Sequence, residues 1–270
     1  MRIRPLALAN ALAFVLTLAM NALSQAPGVF PYTSAELGEA RAIFFLPAGY
    51  VFGIWGIIYF GLGAYITYQL RPANYDSPIH RQIGVLFILS CIGNAVWLVL
   101  FLNEQTWLST LAMLLLLGSL IGIYVRLRSE NRTVTPLERW AVWVPFSIYL
   151  GWITVATVAN FAAALFTSGY VTEFVGITAD VWTVIMIGVA AVITGLMLFT
   201  RRDVAYALVV VWALVGIYAR PFDTPTYAPV AALNSGLVDT AALVVAIVIA
   251  VLTAISLFTG RVRARTVQPA

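Results

Sequence analysis

Residues 47–59 read Pro47-Ala48-Gly49-Tyr50-Val51-Phe52-Gly53-Ile54-Trp55-Gly56-Ile57-Ile58-Tyr59 and open an apolar segment that continues to about residue 70. That length covers roughly 30 Å of hydrocarbon as a helix, so the stretch reads as the start of a membrane span. Trp55 and Tyr59 stand at i and i+4, which puts both rings on one helical face a turn apart. Aromatic packing between helices accounts for such a pair by itself. Two later segments with comparable stripes point further, to a ligand-binding surface.

Runs of this kind recur along the chain. Of its 270 residues 62% are hydrophobic and only 10% charged, and the mean hydropathy is +0.95. A soluble globule of this size needs more polar surface, so the composition predicts an all-α integral membrane protein. Eight spans are expected, at about 5–25, 48–70, 83–103, 107–127, 140–166, 180–200, 203–220 and 239–259. The two longest connections, 26–47 and 221–238, are rich in Pro, Gly, Ser and Thr and read as surface loops. No segment reads as a soluble domain.

The chain has no lysine. Thirteen arginines fall on one side of an eight-span arrangement: Arg2, Arg4, Arg71, Arg81, Arg126, Arg128, Arg132, Arg139, Arg201, Arg202, Arg261, Arg263 and Arg265. Only Arg41 and Arg220 fall on the other. The positive-inside rule then places both termini in the cytoplasm and supports the span count independently of hydropathy; a bacterial or archaeal cytoplasmic membrane is the expected location. Residues 1–26 also fit a cleavable signal sequence, whose removal would leave seven spans in the same orientation.

Several function classes lose support from what the spans lack. All eleven acidic residues lie in loops or near span ends, leaving the span centres without the ionisable groups used by proton pumps, ion-coupled carriers and voltage sensors. The absence of lysine removes a retinal Schiff base. Cys91 is the single cysteine and reads as a small buried helix residue, while His80, the single histidine, reads as a solvated loop residue. Neither joins a metal-ligand cluster, and no Ser-His-Asp, paired-carboxylate or phosphate-loop arrangement is present, so the chain is not expected to be an enzyme.

Span three carries Asn94, Trp97 and Phe101 on one face at i, i+3 and i+7, with Cys91 extending the stripe. Span five carries Trp152, Ala156 and Asn160 at i, i+4 and i+8, with Thr157 beside them. Trp107, Trp140 and Trp143 sit at span ends, where the interfacial aromatic belt explains them. Trp55, Trp97 and Trp152 lie deeper, where an indole N–H needs a partner; Asn94 and Asn160 are the candidates.

These residues carry a resemblance. Pro47-x-Gly-Tyr-Val-Phe-Gly-x-Trp55-x-x-x-Tyr59, Asn94-x-x-Trp97-x-x-x-Phe101 and Trp152-x-x-x-Ala156-Thr157-x-x-Asn160 resemble, in order and placement, motifs of the TspO/MBR family of tryptophan-rich sensory proteins, which includes the peripheral-type benzodiazepine receptor. The resemblance covers about residues 5–166. It implies a five-helix transmembrane bundle over residues 1–167, with the loop 26–47 covering a site among the helices. Residues 168–270 then form a three-helix membrane extension and short basic tail with no counterpart in the five-helix core.

The family binds porphyrins and related tetrapyrroles, and some members bind sterols and synthetic aromatic ligands. The resemblance thus implies a receptor or sensor for a flat hydrophobic ligand, with Trp55, Tyr59, Asn94, Trp97, Phe101, Trp152, Ala156 and Asn160 as ligand-binding candidates. No sterol-recognition pattern follows span five, so sterols are not expected. No cofactor is expected either, since Cys91 and His80 are the only conceivable axial ligands and a metal-free porphyrin fits as well as haem. A carrier for tetrapyrroles or other hydrophobic metabolites is the alternative, although no internal repeat supports it and Gly188, Gly195 and Gly216 read as packing contacts. Gly49-x-x-x-Gly53 and Gly118-x-x-x-Gly122 fit small-residue helix contacts and allow a homodimer.

Overall fold

The computed structural model describes residues 5–75, 77–129 and 133–266, with side chains described for these except at 35 and from 260 onward. Arg2, Arg4 and Arg132 of the charge pattern lie outside the described residues, as do the side chains of Arg261, Arg263 and Arg265. Among the described residues seven helices are long and apolar enough to cross a membrane, and Val204–Tyr218 is a shorter apolar one. The chain is an all-α, multi-pass integral membrane protein.

Two compact units emerge, Met1–Arg41 with Phe52–Ser168, and Ala42–Val51 with Gly169–Ala270. The first contains α1 (Pro5–Leu23), the short α2 (Ser34–Glu39), α3 (Ile54–Leu70), the one-turn α4 (Ile79–Gln82), α5 (Gly84–Leu102), α6 (Thr106–Leu127), the one-turn α7 (Pro136–Glu138) and α8 (Val144–Thr167). The five long helices close on themselves in the order α1, α5, α6, α8, α3, each packed on two neighbours. Small residues set the closest approaches. A Cβ at Gly61 would lie 2.9 Å from Pro145 of α8, and one at Gly93 would lie 3.2 Å from the Leu116 backbone of α6.

Local chemistry places the helix ends. Pro5 and Pro136 occupy first-turn positions, where a missing N–H costs nothing. Pro145 sits in the first turn of α8, directly after a wider π-helical segment, Arg139–Trp143. The wider turn suits a residue that can supply no i→i−4 hydrogen bond and whose ring crowds the preceding turn. In the first long loop Thr33 and Glu36 form a reciprocal capping box, with the Glu36 amide donating to Thr33 Oγ1 at 3.3 Å and the Thr33 amide to Glu36 Oε2 at 2.7 Å. This fixes α2 and turns Leu37 onto Leu98 and Leu102, beside Phe30, Trp97 and Phe101.

The second unit holds α9 (Ala179–Leu196), α10 (Val204–Tyr218) and α11 (Ser235–Thr266), preceded by a hairpin of β1 (Glu173–Phe174) and β2 (Ile177–Thr178). The hairpin turns through Val175 at φ 54° and Gly176 at φ 72°. Such a small hairpin lay outside the all-helical expectation.

The division of residues departs from the expected boundaries of 1–167 and 168–270, because Ala42–Val51 belongs with α9–α11. Polar contacts explain it. The Ala48 amide donates to the Gly216 carbonyl at 2.9 Å, Trp212 Nε1 to the Val51 carbonyl at 3.1 Å, Arg220 Nη1 to the Pro47 carbonyl at 3.2 Å and the Tyr227 hydroxyl to the Ile43 carbonyl at 3.1 Å. Gly216 makes room for this, since a Cβ there would overlap Val51. Gly216 is thus a packing glycine, whereas Gly188 and Gly195 have open space at the Cβ position, contrary to expectation. Gly49 and Gly53 lie in a 3-10 turn rather than on an α-helical face. Gly122 packs within the first unit against Leu86.

Candidate ligand-binding site

In the first unit the i, i+4 pairs of α3 and α5 meet as one column of rings. Trp55 stacks on Tyr59 with centroids 5.4 Å apart and planes 23° apart, and on Trp97 at 6.4 Å and 25°. Trp97 stacks in turn on Phe101 at 5.5 Å and 25°. From α8, Tyr149 and Trp152 meet Trp55 edge-on at 6.0 and 6.3 Å. Phe52 meets Trp152 edge-on at 5.6 Å. Offset stacking and edge-to-face contact are the arrangements the ring quadrupole favours. All four column rings are half-buried while Tyr149 and Trp152 behind them are buried, so the column is the accessible side of the cluster.

Polar groups divide into a saturated set and an unsaturated one. Asn160 Oδ1 accepts from Trp97 Nε1 at 2.9 Å, and its Nδ2 donates to Ser109 Oγ at 3.1 Å and Thr110 Oγ1 at 2.8 Å, while Ser109 gives its single proton to the Thr106 carbonyl at 2.8 Å. Both donors of the amide are used and one acceptor site holds the indole N–H. Asn160 therefore positions Trp97 and has no N–H to spare for a ligand. By contrast, Tyr59 Oη, Asn94 Nδ2 and Trp152 Nε1 are buried without a hydrogen-bond partner. Asn94 Oδ1 accepts from Asn21 of α1 at 2.8 Å, and its amide lies beside the Tyr149 hydroxyl without a hydrogen bond of standard geometry. Each orphaned buried polar group costs about 1–3 kcal/mol, which a suitably placed ligand atom recovers.

The Phe101 end of the column is covered and charged. Leu37 and Phe30 from the first loop pack there, and the Arg41 guanidinium lies 5.1 Å from the Phe101 ring centroid. Arg41 is 3% exposed. Its Nη2 reaches Glu104 Oε1 at 3.4 Å and its Nη1 is unpartnered. Burial pushes the Arg41 pKa down, and Glu104 offsets only part of that. Glu104 itself stands at φ 58°, a left-handed conformation rare outside glycine and asparagine.

Of the expected site residues, Trp55, Tyr59, Trp97 and Phe101 form the column and Trp152 backs it. Asn94 bonds Asn21 rather than an indole, and Asn160 bonds Trp97. Ala156 lies half-buried on α8 between Trp152 and Asn160. Asn21, Phe52, Tyr149, Ser109 and Thr110 were missed. Tyr149 lies three residues before Trp152, and Asn21 continues a stripe of Asn10, Phe14 and Thr17 along α1, so both carried a periodic signal. Trp107 is 48% exposed and donates to Ser168 Oγ at 2.8 Å, apart from the column, as an interfacial residue should. His80 corrects an expectation, since it is buried, with Nε2 2.8 Å from the Asn74 carbonyl oxygen. Cys91 is buried, as expected.

A family model described as TSPO-like protein matches residues 7–255. The match runs through α9, α10 and most of α11, so the C-terminal helices lie within the matched family region rather than outside it as the motifs alone suggested. No curated protein and no solved structure matches the chain.

Proposed function

We propose that this chain, which belongs to the TSPO-like protein family, is a membrane receptor or sensor that binds a porphyrin or related tetrapyrrole at the Trp55 column. Family membership supports a membrane receptor, sensor or transporter in general. The observation that carries the finer reading is the half-buried stack of Tyr59, Trp55, Trp97 and Phe101, backed by unpartnered polar atoms on Tyr59, Asn94 and Trp152.

A ligand arriving from lipid gains little from further apolar contact, because hydrocarbon tails are already as apolar as leucine. Stacking and hydrogen bonding must supply the difference. Each aromatic pairing contributes about 0.5–1.5 kcal/mol beyond burial. A flat conjugated ring with polar edges uses both the column and the orphaned atoms, whereas an alkyl chain uses neither. The role proposed for the chain is binding without catalysis, with both termini cytoplasmic as the arginine distribution indicates.

Quenching of tryptophan fluorescence by a porphyrin in detergent tests this. Trp152→Phe and Asn94→Ala are expected to weaken binding about fivefold each, the equivalent of about 1 kcal/mol. Trp107→Phe should leave it unchanged. Equal effects from all three substitutions would remove the site. Uptake of the porphyrin into proteoliposomes, rather than saturable binding alone, would favour a carrier.

A further inference from the structure

The Phe101 end of the column carries a cation whose own chain does not satisfy it. A buried guanidinium ordinarily offers a planar fork to a carboxylate, two N–H groups to two oxygens. Arg41 is buried to 3% exposure, yet only Nη2 has a partner, and that contact is long at 3.4 Å. The partner, Glu104, has a side chain 49% exposed, so water shares much of its charge. Nη1 is buried with no acceptor. Glu104 is also held at φ 58°, where a non-glycine residue pays a conformational cost. A strained, half-solvated carboxylate is a weak counter-ion for a buried arginine. The aromatic column begins directly against this guanidinium, at Phe101.

We propose that Arg41 is a carboxylate anchor, its free Nη1 taking an acid group of the ligand at the end of the aromatic column, so that the site selects flat conjugated acids over the same ring system without an acid. This rests on the column being the ligand surface. Arg41 then sets specificity and the stacked rings supply the ring contacts. Glu104 competes with the ligand acid for the same guanidinium.

The test compares a free-base porphyrin bearing two propionic acid side chains with its dimethyl ester, by tryptophan quenching in zwitterionic lipid so that no anionic headgroup competes. The wild-type protein is expected to bind the diacid about tenfold more tightly than the ester. Arg41→Gln should abolish that preference while leaving ester affinity within about twofold, which also reports that the variant is folded. Glu104→Gln should tighten the diacid several-fold and leave the ester unchanged. Equal affinity of wild type for acid and ester overturns the anchor, as does an Arg41→Gln variant that loses both ligands alike while Arg41→Lys restores neither. Saturable ester binding in those cases keeps the column reading intact. Absence of saturable binding by either porphyrin overturns the column reading and the anchor with it.

Discussion

Two asparagines at similar depth in the first unit behave in opposite ways. Asn160 spends both its donors on Ser109 and Thr110 and accepts from Trp97, whereas Asn94 keeps its Nδ2 without a partner. Substituting Asn160 should therefore act on structure first. In Asn160→Leu the Trp97 indole N–H loses its acceptor, at a cost of about 1–2 kcal/mol, and the ring loses its fixed orientation in the stack. Thermal unfolding in detergent should shift down by several degrees, with a changed near-ultraviolet tryptophan signal; an unaltered Tm and signal would contradict the positioning role. Sequence spacing was sufficient to group Trp55 with Tyr59 and Trp97 with Phe101, because helical periodicity alone puts them on one face. It could not assign donors to acceptors, since Trp97 and Asn160 are 63 residues apart and Asn21 and Asn94 are 73 apart. His80 was misread because its burial, with the ring against the Asn74 carbonyl, leaves no mark in residue spacing.

Among the elements, α2 is the smallest with a definable job. Its capping box turns Leu37 onto the Phe101 end of the column. The Thr33-x-x-Glu36 signature is present in the sequence, but it lies within a loop rich in turn-forming residues, where a six-residue helix has no apolar periodicity to mark it. The Thr33 amide and hydroxyl that donate to Glu36 hold its carboxyl below the ordinary 4.5. A depressed carboxyl pKa means that the cap is at full strength above the ordinary value and weakens as pH falls through the lower, folded one. Hydrogen-exchange protection of the Leu37 and Ala40 amides, corrected for intrinsic rates, should therefore persist at neutral pH and decline only below about pH 4.5. Glu36→Gln should flatten that pH dependence; an identical decline in the variant would assign it elsewhere. Hydropathy placed α1, α5 and α6 to within about two residues at each end, whereas α3 begins at Ile54 rather than 48 and α11 runs over Ser235–Thr266 rather than 239–259. Val204–Tyr218 came out shorter than its expected 203–220, at 15 residues.

For the whole molecule, the membrane class followed from composition, and hydropathy anticipated the seven long apolar helices and the shorter Val204–Tyr218 found among the described residues, but the partition into units did not follow from either. Reading along the chain assigns a loop to the helices it joins. Ala42–Val51 instead follows hydrogen bonds to Trp212, Arg220 and Tyr227, 161 to 184 residues away. No local pattern signals such a pairing. The motifs likewise confined the family likeness to the first five spans, because the C-terminal helices are Ala-, Val- and Ile-rich and carry few distinctive side chains; the family match extends through them. Mass spectrometry of small molecules extracted from the purified protein tests most directly whether the Trp55 column holds a tetrapyrrole. A conjugated tetrapyrrole acid at near-stoichiometric amount, depleted in Trp152→Phe and Arg41→Gln, is the predicted result. Membrane lipid alone, in equal amounts from wild type and both variants after expression with tetrapyrrole supplied, would contradict it.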